Sequence, residues 1–473
     1  MRQLYFLLTF LIILFSANKT LAQAFYFGAD LSYVNEMQDC GATYKVGGVE
    51  EDPYLIFKDH GANLVRLRLW HTPSWYDAMN QGHRYSDFED VRHSIIRAKA
   101  EGMQVLLDFH LSDTWADPAH QVAPAAWTPV LNDLEVLKDS LYNYIYSTLS
   151  HLALDNLLPE IVQIGNETNR GILVSQQTND AGWSLDWTRN SALFKEAILA
   201  VRDVEAAYGA DIKVALHVAN PSDSDWLMDG FWDHGVRDFD IIGLSYYWQF
   251  HNVLFAVVGN TITTLKNTYP GKEVMILETG YHWTSSNDDS ANNILSSNYP
   301  GYAPPTPAHQ LQWMIELAQT VIDHGGKGII YWEPAWVSTN CFTRFGKGSN
   351  WDNATFFDFN TNLQDAGGIG WMTHPYNFTS VKDEIRLNSN RIEVFQSGDE
   401  LIIKRDDAAF LNDDFEIEIL AADGRTIEHQ QVIPEWRNNM MRIQLQMHAA
   451  GCYFISGFTN SQYLFSKIIF IKG

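Results

Sequence analysis

Two glutamates, Glu167 and Glu278, each follow a short apolar run, residues 161–165 and 274–277. Such runs read as buried strands, and a carboxylate at the end of one would sit at a sheet rim, in a cleft. Two carboxyl groups so placed are the minimum equipment for hydrolysing an acetal. Asn166, immediately before the first glutamate, is suited to bind a sugar hydroxyl. A glutamate at a strand end can equally cap a helix or pair with an arginine. The elements that carry the pair therefore have to decide.

Eight apolar runs read as strands, at 25–30, 64–70, 105–110, 161–165, 212–217, 239–247, 273–278 and 328–333. Helical periodicity lies between them, at 51–60, 88–100, 133–149, 191–207, 226–235, 256–268 and 308–324. Trp183 and Trp187 fall in a longer loop before 191, and a loop rich in Asn, Asp, Ser and Pro spans about 284–307. Strands separated by helices imply parallel pairing with right-handed crossovers. Eight units suggest a closed (β/α)8 barrel, an α/β fold. A doubly wound open sheet is the alternative, but no glycine-rich phosphate loop opens the first helix. In a barrel, function lies at the carboxyl ends of the strands. Those ends carry Asp30, Arg68 or Trp70, His110, Glu167, His217, Tyr246 or Tyr247, Glu278, and Trp332 with Glu333. A purely structural barrel needs no such collection on one rim. Arg66 and Arg68 share one strand face and need buried partners.

The chain has 473 residues, enough for two domains, and 16 Trp among its aromatic residues. Its formal charge is -25, from 32 basic and 57 acidic residues, which disfavours nucleic acid and anionic membrane as partners but not a neutral polymer. Residues 1–24 read as a signal peptide: Arg2, an apolar run over 4–15, and a small-x-small site at Ala22 to Ala24. No later stretch is long enough to span a bilayer. Secretion or surface display is expected. Export permits a disulfide among Cys40, Cys341 and Cys452, but spacing alone does not choose the pair. Cys40 with Cys341 would tie the ends of one domain together.

The barrel is expected over 25–385. Beyond it, 386–473 reads as short strands separated by turns such as Ala422 to Arg425, a small all-β sandwich.

Residues 25 to about 385 resemble glycoside hydrolase family fifty-three, the endo-β-1,4-galactanases of the large retaining clan of barrel glycosidases. The matching pieces are Phe27-Gly28-Ala29-Asp30-Leu31-Ser32, residues 61–70, Asp108-Phe109-His110-Leu111-Ser112-Asp113-Thr114-Trp115-Ala116-Asp117-Pro118, Gln163-Ile164-Gly165-Asn166-Glu167, Glu278-Thr279-Gly280 and Tyr331-Trp332-Glu333-Pro334-Ala335-Trp336. The Asn-Glu pair marks only the clan, whereas the third-strand segment and the Gly-Ala-Asp opening are more specific. Leu111 departs from the pattern, standing where many relatives carry an aromatic residue. The resemblance implies a secreted enzyme cutting internal β-1,4-galactosyl bonds of galactan, as in pectin side chains; a monomer is expected. By that pattern Glu167 would be acid/base and Glu278 nucleophile. No cofactor is required. A structural calcium, held in some bacterial relatives after strand seven, stays open, with Asn287, Asp288 and Asp289 as oxygen donors. The last 80 or so residues resemble a type nine secretion sorting domain, through residues 418–425, 449–455 and 467–472. That would add the secretion machinery as a partner.

On this reading Arg68, or else Arg66, keeps Glu278 ionised, and Tyr246 or Tyr247 orients it. His110 and His217 fix sugar hydroxyls or hold the carboxylates. Trp332 forms the floor at the cleavage point, with Trp115 and Trp336 as platforms further out. Asp30, Asp113 and Glu333 are rim groups for substrate. Two rival readings remain: a related clan hydrolase acting on another β-1,4-glycan, and a non-catalytic carbohydrate-binding surface protein.

Overall fold

The structure, a computed structural model, describes residues 25–174, 185–344 and 346–378, and seven strands between 392 and 471. The leader at 1–24, Trp183, the 385/386 boundary and the turn at 422–425 lie outside the described residues. The chain divides into two compact units between Thr379 and Ser380.

The first unit is built on eight parallel strands closed into a barrel. They are β1 (Tyr26–Asp30), β2 (Leu64–Leu69), β3 (Gln104–Phe109), β4 (Ile161–Ile164), β5 (Lys213–Val218), β6 (Ile241–Tyr246), β7 (Glu273–Thr279) and β8 (Gly328–Tyr331). Each pairs with its neighbours in sequence, and β1 closes on β8 with Tyr26 opposite Gly328. Helices follow the strands: α1 (Val34–Asp39), α2 (Pro53–Asp59), α3 (Phe88–Ala100), α4 (Leu134–Leu154), α5 (Trp187–Tyr208), α6 (Ser224–Asp233), α7 (Trp248–His251), α8 (Phe255–Thr268) and α9 (Pro307–Asp323). Side-chain caps start them where the sequence offers an oxygen. Asp52, Asp87 and Asp133 each accept from a backbone N–H in the first turn, as does Thr306 ahead of Pro307. Asp186 caps α5 in the same way, so Trp187 opens a helix instead of lying in a loop.

Alternation along the strands sorts side chains into two cores. Tyr26, Leu64, Leu106, Ile161, Ala215, Ile241, Met275, Leu277 and Ile330 fill the barrel floor. The residues between them pack outward against the helices. Two positions further along β2, β3, β4 and β5 the interior turns polar: Arg66, Asp108, Gln163 and His217 are all buried. One strand breaks the alternation. Leu244 pairs with Ile276 but Ser245 with Glu278, so β7 carries an extra residue between them. The same irregularity appears against β8. This bulge lets Leu277 stay in the floor while Glu278 also faces inward. Gly243 on β6 makes room for it: a Cβ there would lie 2.1 Å from Leu277 Cδ1.

Cys40, just after α1, is bonded to Cys341 in the loop after β8, a separation of 301 residues. The second unit contains antiparallel sheets, one of three strands (Ile392–Ser397, Glu400–Arg405, Met440–Gln444) and one of four (Phe415–Ala421, Thr426–Val432, Gly451–Thr459, Gln462–Ile471). Among the described residues no helix is long and apolar enough to cross a membrane.

Candidate active site

Glu167 and Glu278 line the same cavity, of about 330 Å³, at the carboxyl ends of the strands. Its walls include Trp115, Trp332, Trp336 and Trp351, with Asn166, Tyr247, Phe250, His251 and Ile294.

β4 ends abruptly. Gly165 has φ 73° and Glu167 φ 49°, the second an uncommon conformation for a residue with a Cβ. Hydrogen bonds over-determine this turn. The Glu167 N–H donates to His217 Nδ1 at 3.2 Å. Gln121 Nε2 donates to the carbonyls of Asn166, at 2.7 Å, and Glu167, at 3.2 Å. Asn166 is held at both ends of its amide: Nδ2 donates to Ala116 O, and Oδ1 accepts from Arg66 Nη2 at 2.7 Å.

Glu278 is held differently. Its Oε1 lies 2.9 Å from Arg66 Nη1, and its Oε2 accepts from the Tyr247 hydroxyl at 3.2 Å. Burial pushes the Glu278 carboxyl up, against Arg66, which pulls it down; Tyr247 pulls the same way. Burial pushes Glu167 well above the ordinary carboxylate range, and the Glu278 charge adds to that. Both carboxyls are raised, Glu278 to about 7 and Glu167 well above the ordinary range, and the cation and phenol beside Glu278 favour its ionised form over that of Glu167. Burial and the same Glu278 charge keep the Tyr247 phenol protonated, so it can only donate to Glu278 while Glu278 is ionised.

Several expected roles change. Arg66, and not Arg68, contacts Glu278. Arg66 starts two residues deeper, about 6.6 Å at strand rise, so its long side chain reaches the carboxylates from within the barrel. Besides Glu278 it binds Asp30 and Asp108. Arg68 instead pairs with Glu333 at 2.9 Å and lies 4.1 Å from the Trp115 ring centre, supporting that ring from behind. Asp30 and Glu333 are therefore buried counter-ions, with no free rim carboxylate. Asp113 accepts from the N–H groups of Thr72 and Ala125, and so joins two loops. Tyr246 faces the helices, stacked near Trp313 and donating to Val253 O; Tyr247, one residue on, faces the cavity. Trp336 is fully buried, stacked at 4.2 Å on Tyr33, and backs the wall instead of offering an open platform. Trp332 is half-buried, edge-on to Trp351 at 4.6 Å. His110 Nε2 lies 3.0 Å from Asp108, while its Nδ1 accepts from Trp70 Nε1. His217 holds the backbone of Glu167.

Trp351, Phe250, His251 and Ile294 were not expected in the site. They come from loops and the short α7, where no periodicity points at a cleft. Phe250 is exposed on α7, beside Tyr247 and His251. In the loop after β7, Asp289 accepts from the N–H groups of Ala291 and Ser349, and Asn287 Nδ2 donates to the carbonyl of Ala291. Among the described residues no three His, Cys, Asp or Glu side chains form a group able to hold a metal ion.

Residues 26–366 match the model of glycosyl hydrolase family 53. An arabinogalactan endo-β-1,4-galactanase of Cellvibrio japonicus is 47% identical over 336 residues, covering 71% of this chain and 86% of the relative. An endo-β-1,4-galactanase of Bacillus subtilis is 33% identical, covering 72% of this chain and 78% of its own. Among solved structures, the GH53 catalytic domain of Ignisphaera aggregans superposes with a TM-score of 0.66 at 31% identity, covering 76% of this chain and 98% of that one. With its family-wide match laid over a barrel that carries two unlike glutamates in one aromatic cavity, this chain belongs to glycosyl hydrolase family 53.

Proposed function

We propose that the chain is an endo-acting, retaining hydrolase of β-1,4-galactan and arabinogalactan, with Glu167 as acid/base and Glu278 as nucleophile. The observation that carries the assignment of roles is the asymmetry of the pair. Glu278 is gripped by a cation and a phenol, whereas Glu167 meets neither at hydrogen-bond distance and is pushed further up. The galactan substrate is supported by the close relatives, which are galactanases by name.

In the first step a Glu278 oxygen attacks the anomeric carbon while the bond to the leaving oxygen breaks. The Glu167 proton passes to that oxygen, and a glycosyl ester forms on Glu278. The Glu278 charge is thereby consumed, and Glu167, now ionised, is no longer repelled. In the second step water attacks the same carbon. Its proton goes to Glu167, and Glu278 leaves as carboxylate. On this reading Trp332, which lines the cavity, forms the floor under the reacting sugar, and the other tryptophans exclude water. Calcium enters no step.

The remaining readings concern export. We propose that residues 1–24 are a removed leader, that 386–473 form a β-sandwich acting as a type nine sorting domain, and that the enzyme works as a monomer outside the cell. The Cys40–Cys341 bond supports an oxidising destination, and the antiparallel sheets support the sandwich.

The test is reducing-end release from linear β-1,4-galactan beside cellulose, mannan and xylan, with Glu278→Ala as control. Rapid shortening of galactan alone, abolished in the variant, with β-configured product at first by NMR, is expected. Initial α product would discard retention, and cleavage of another glycan alone would discard the substrate.

A further inference from the structure

The acid/base is tied to two neighbouring strands by a run of hydrogen bonds with a fixed direction. The Glu167 N–H can only donate, and it points at His217 Nδ1. Gln163 Nε2, which also has Gly165 O at 3.0 Å and Asn166 Oδ1 at 3.2 Å as acceptors, presents a second donor to the same nitrogen at 3.1 Å. Its orientation is set by its Oε1, which accepts from Arg66 Nε. Asn166 Oδ1 also lies 2.9 Å from Nδ1, but it already accepts from Arg66. Two donors against one occupied acceptor leave Nδ1 without a proton. Burial, Arg66 and His110 keep the ring neutral, so its hydrogen sits on Nε2.

That hydrogen meets Ser245 Oγ at 3.0 Å. Ser245 is wholly buried on β6, facing inward opposite Glu278 in the register. Its oxygen receives from His217, so its own hydrogen is free for another acceptor. From that place on β6 Ser245 acts on the Glu167 carboxyl as a hydrogen-bonding neighbour, pulling it down against the push of burial. A carboxyl oxygen that accepts from a hydroxyl is a poor place for a proton, and the acid proton is then left on the other oxygen.

We propose that Ser245 is a positioning residue for the acid/base: oriented by His217 Nε2, its hydroxyl donates to one Glu167 oxygen and so leaves the acid proton on the other, for delivery to the leaving oxygen. The proposal rests on the reading of Glu167 as acid/base. The same hydrogen bond favours the ionised form that the second step needs. Other groups acting on Glu167 are Glu278 from β7, Asp117 from the loop after β3, and Arg66 from β2; Tyr247, after β6, lies close enough to feel its charge.

The experiment compares Ser245→Ala with wild type on two substrates, linear galactan and 2,4-dinitrophenyl β-1,4-galactobioside, across pH. Dinitrophenolate leaves without a proton, so its release does not need the acid. Ser245→Ala is expected to lose about tenfold or more in kcat on galactan with KM little changed. Burst release of dinitrophenolate stays near wild type, and the basic limb of kcat/KM on galactan moves to higher pH. Ser245→Cys, similar in size with a weaker donor, is expected to fall between, and it makes the same comparison if the alanine variant melts early. Equal losses on both substrates, or an unmoved basic limb, overturn the proposal. Glu167→Ala with added azide separates the premise: no azide rescue on the dinitrophenyl substrate would remove Glu167 as acid/base, whatever Ser245 does.

Discussion

Arg66 Nη1 lies 2.9 Å from Glu278 Oε1, and the same guanidinium reaches Asp30, Asp108, Gln163 and Asn166. One planar cation on β2 thus joins side chains from β1, β3, β4 and β7. It fixes Glu278 and Asn166, the residue before Glu167, in one frame. A frame of this kind needs little reorganisation when charge moves during the reaction.

Lysine cannot replace that fork, because it offers a single point of charge. Arg66→Lys should lower kcat on galactan by about a hundredfold or more. Arg66→Met should cost about 3–5 kcal/mol of stability, since it leaves buried carboxylates unpaired. Urea unfolding and steady-state kinetics measure the two effects. An Arg66→Lys enzyme with near-native kcat would show that charge alone suffices.

Tyr247 lowers the Glu278 pKa by donating to its ionised form. With Glu278 as the proposed nucleophile, activity needs it ionised, and its titration sets the acid limb of kcat/KM. Tyr247→Phe removes the donor and raises the Glu278 pKa. The acid limb should therefore move to higher pH, with the largest losses on the acidic side. A pH profile of kcat/KM decides it, and an unmoved acid limb would detach Tyr247 from the titration of Glu278.

Gly243→Ala tests the bulge. The added Cβ would overlap Leu277 Cδ1. Overpacking of this kind costs about 1–3 kcal/mol, and because Leu277 adjoins Glu278, kcat should fall more than KM rises. Combining it with Leu277→Ala should recover part of both losses. Independent, additive effects in the double variant would mean that the two sites do not touch.

Loss of the Cys40–Cys341 bond should destabilise the first unit by about 3–5 kcal/mol. Chemical denaturation of Cys341→Ser against wild type measures it. The catalytic groups are elsewhere, so kcat at low temperature should be retained.

The barrel was legible because its strands are buried on both faces and read as apolar runs between helical repeats. The glutamate pair was legible because each run ended in a carboxylate. Strand ends were harder. Arg66 and Arg68 share one face, and sequence cannot say which long side chain reaches a partner across the barrel. Tyr246 and Tyr247 differ by one residue, and extending the alternation of β6 past its end would have chosen Tyr247. Glu278 faces inward beside inward Leu277, which alternation forbids and only a bulge allows. Phe250, Ile294 and Trp351 arrive from loops whose path no local pattern dictates. Asp30 and Glu333 stood at the rim in sequence but lie beneath it, because each was needed to neutralise an arginine.

The barrel is closed twice, once by hydrogen bonds between β1 and β8 and again by the sulfur bridge between the segments that follow those strands. The chain from Cys40 to Cys341 is thus a covalent ring that holds both glutamates. A protease that cuts this ring at any one loop does not release a fragment. The two new ends remain on one molecule, and the cut barrel can close again around the same cavity. A single nick in this ring would be an injury without a loss of parts.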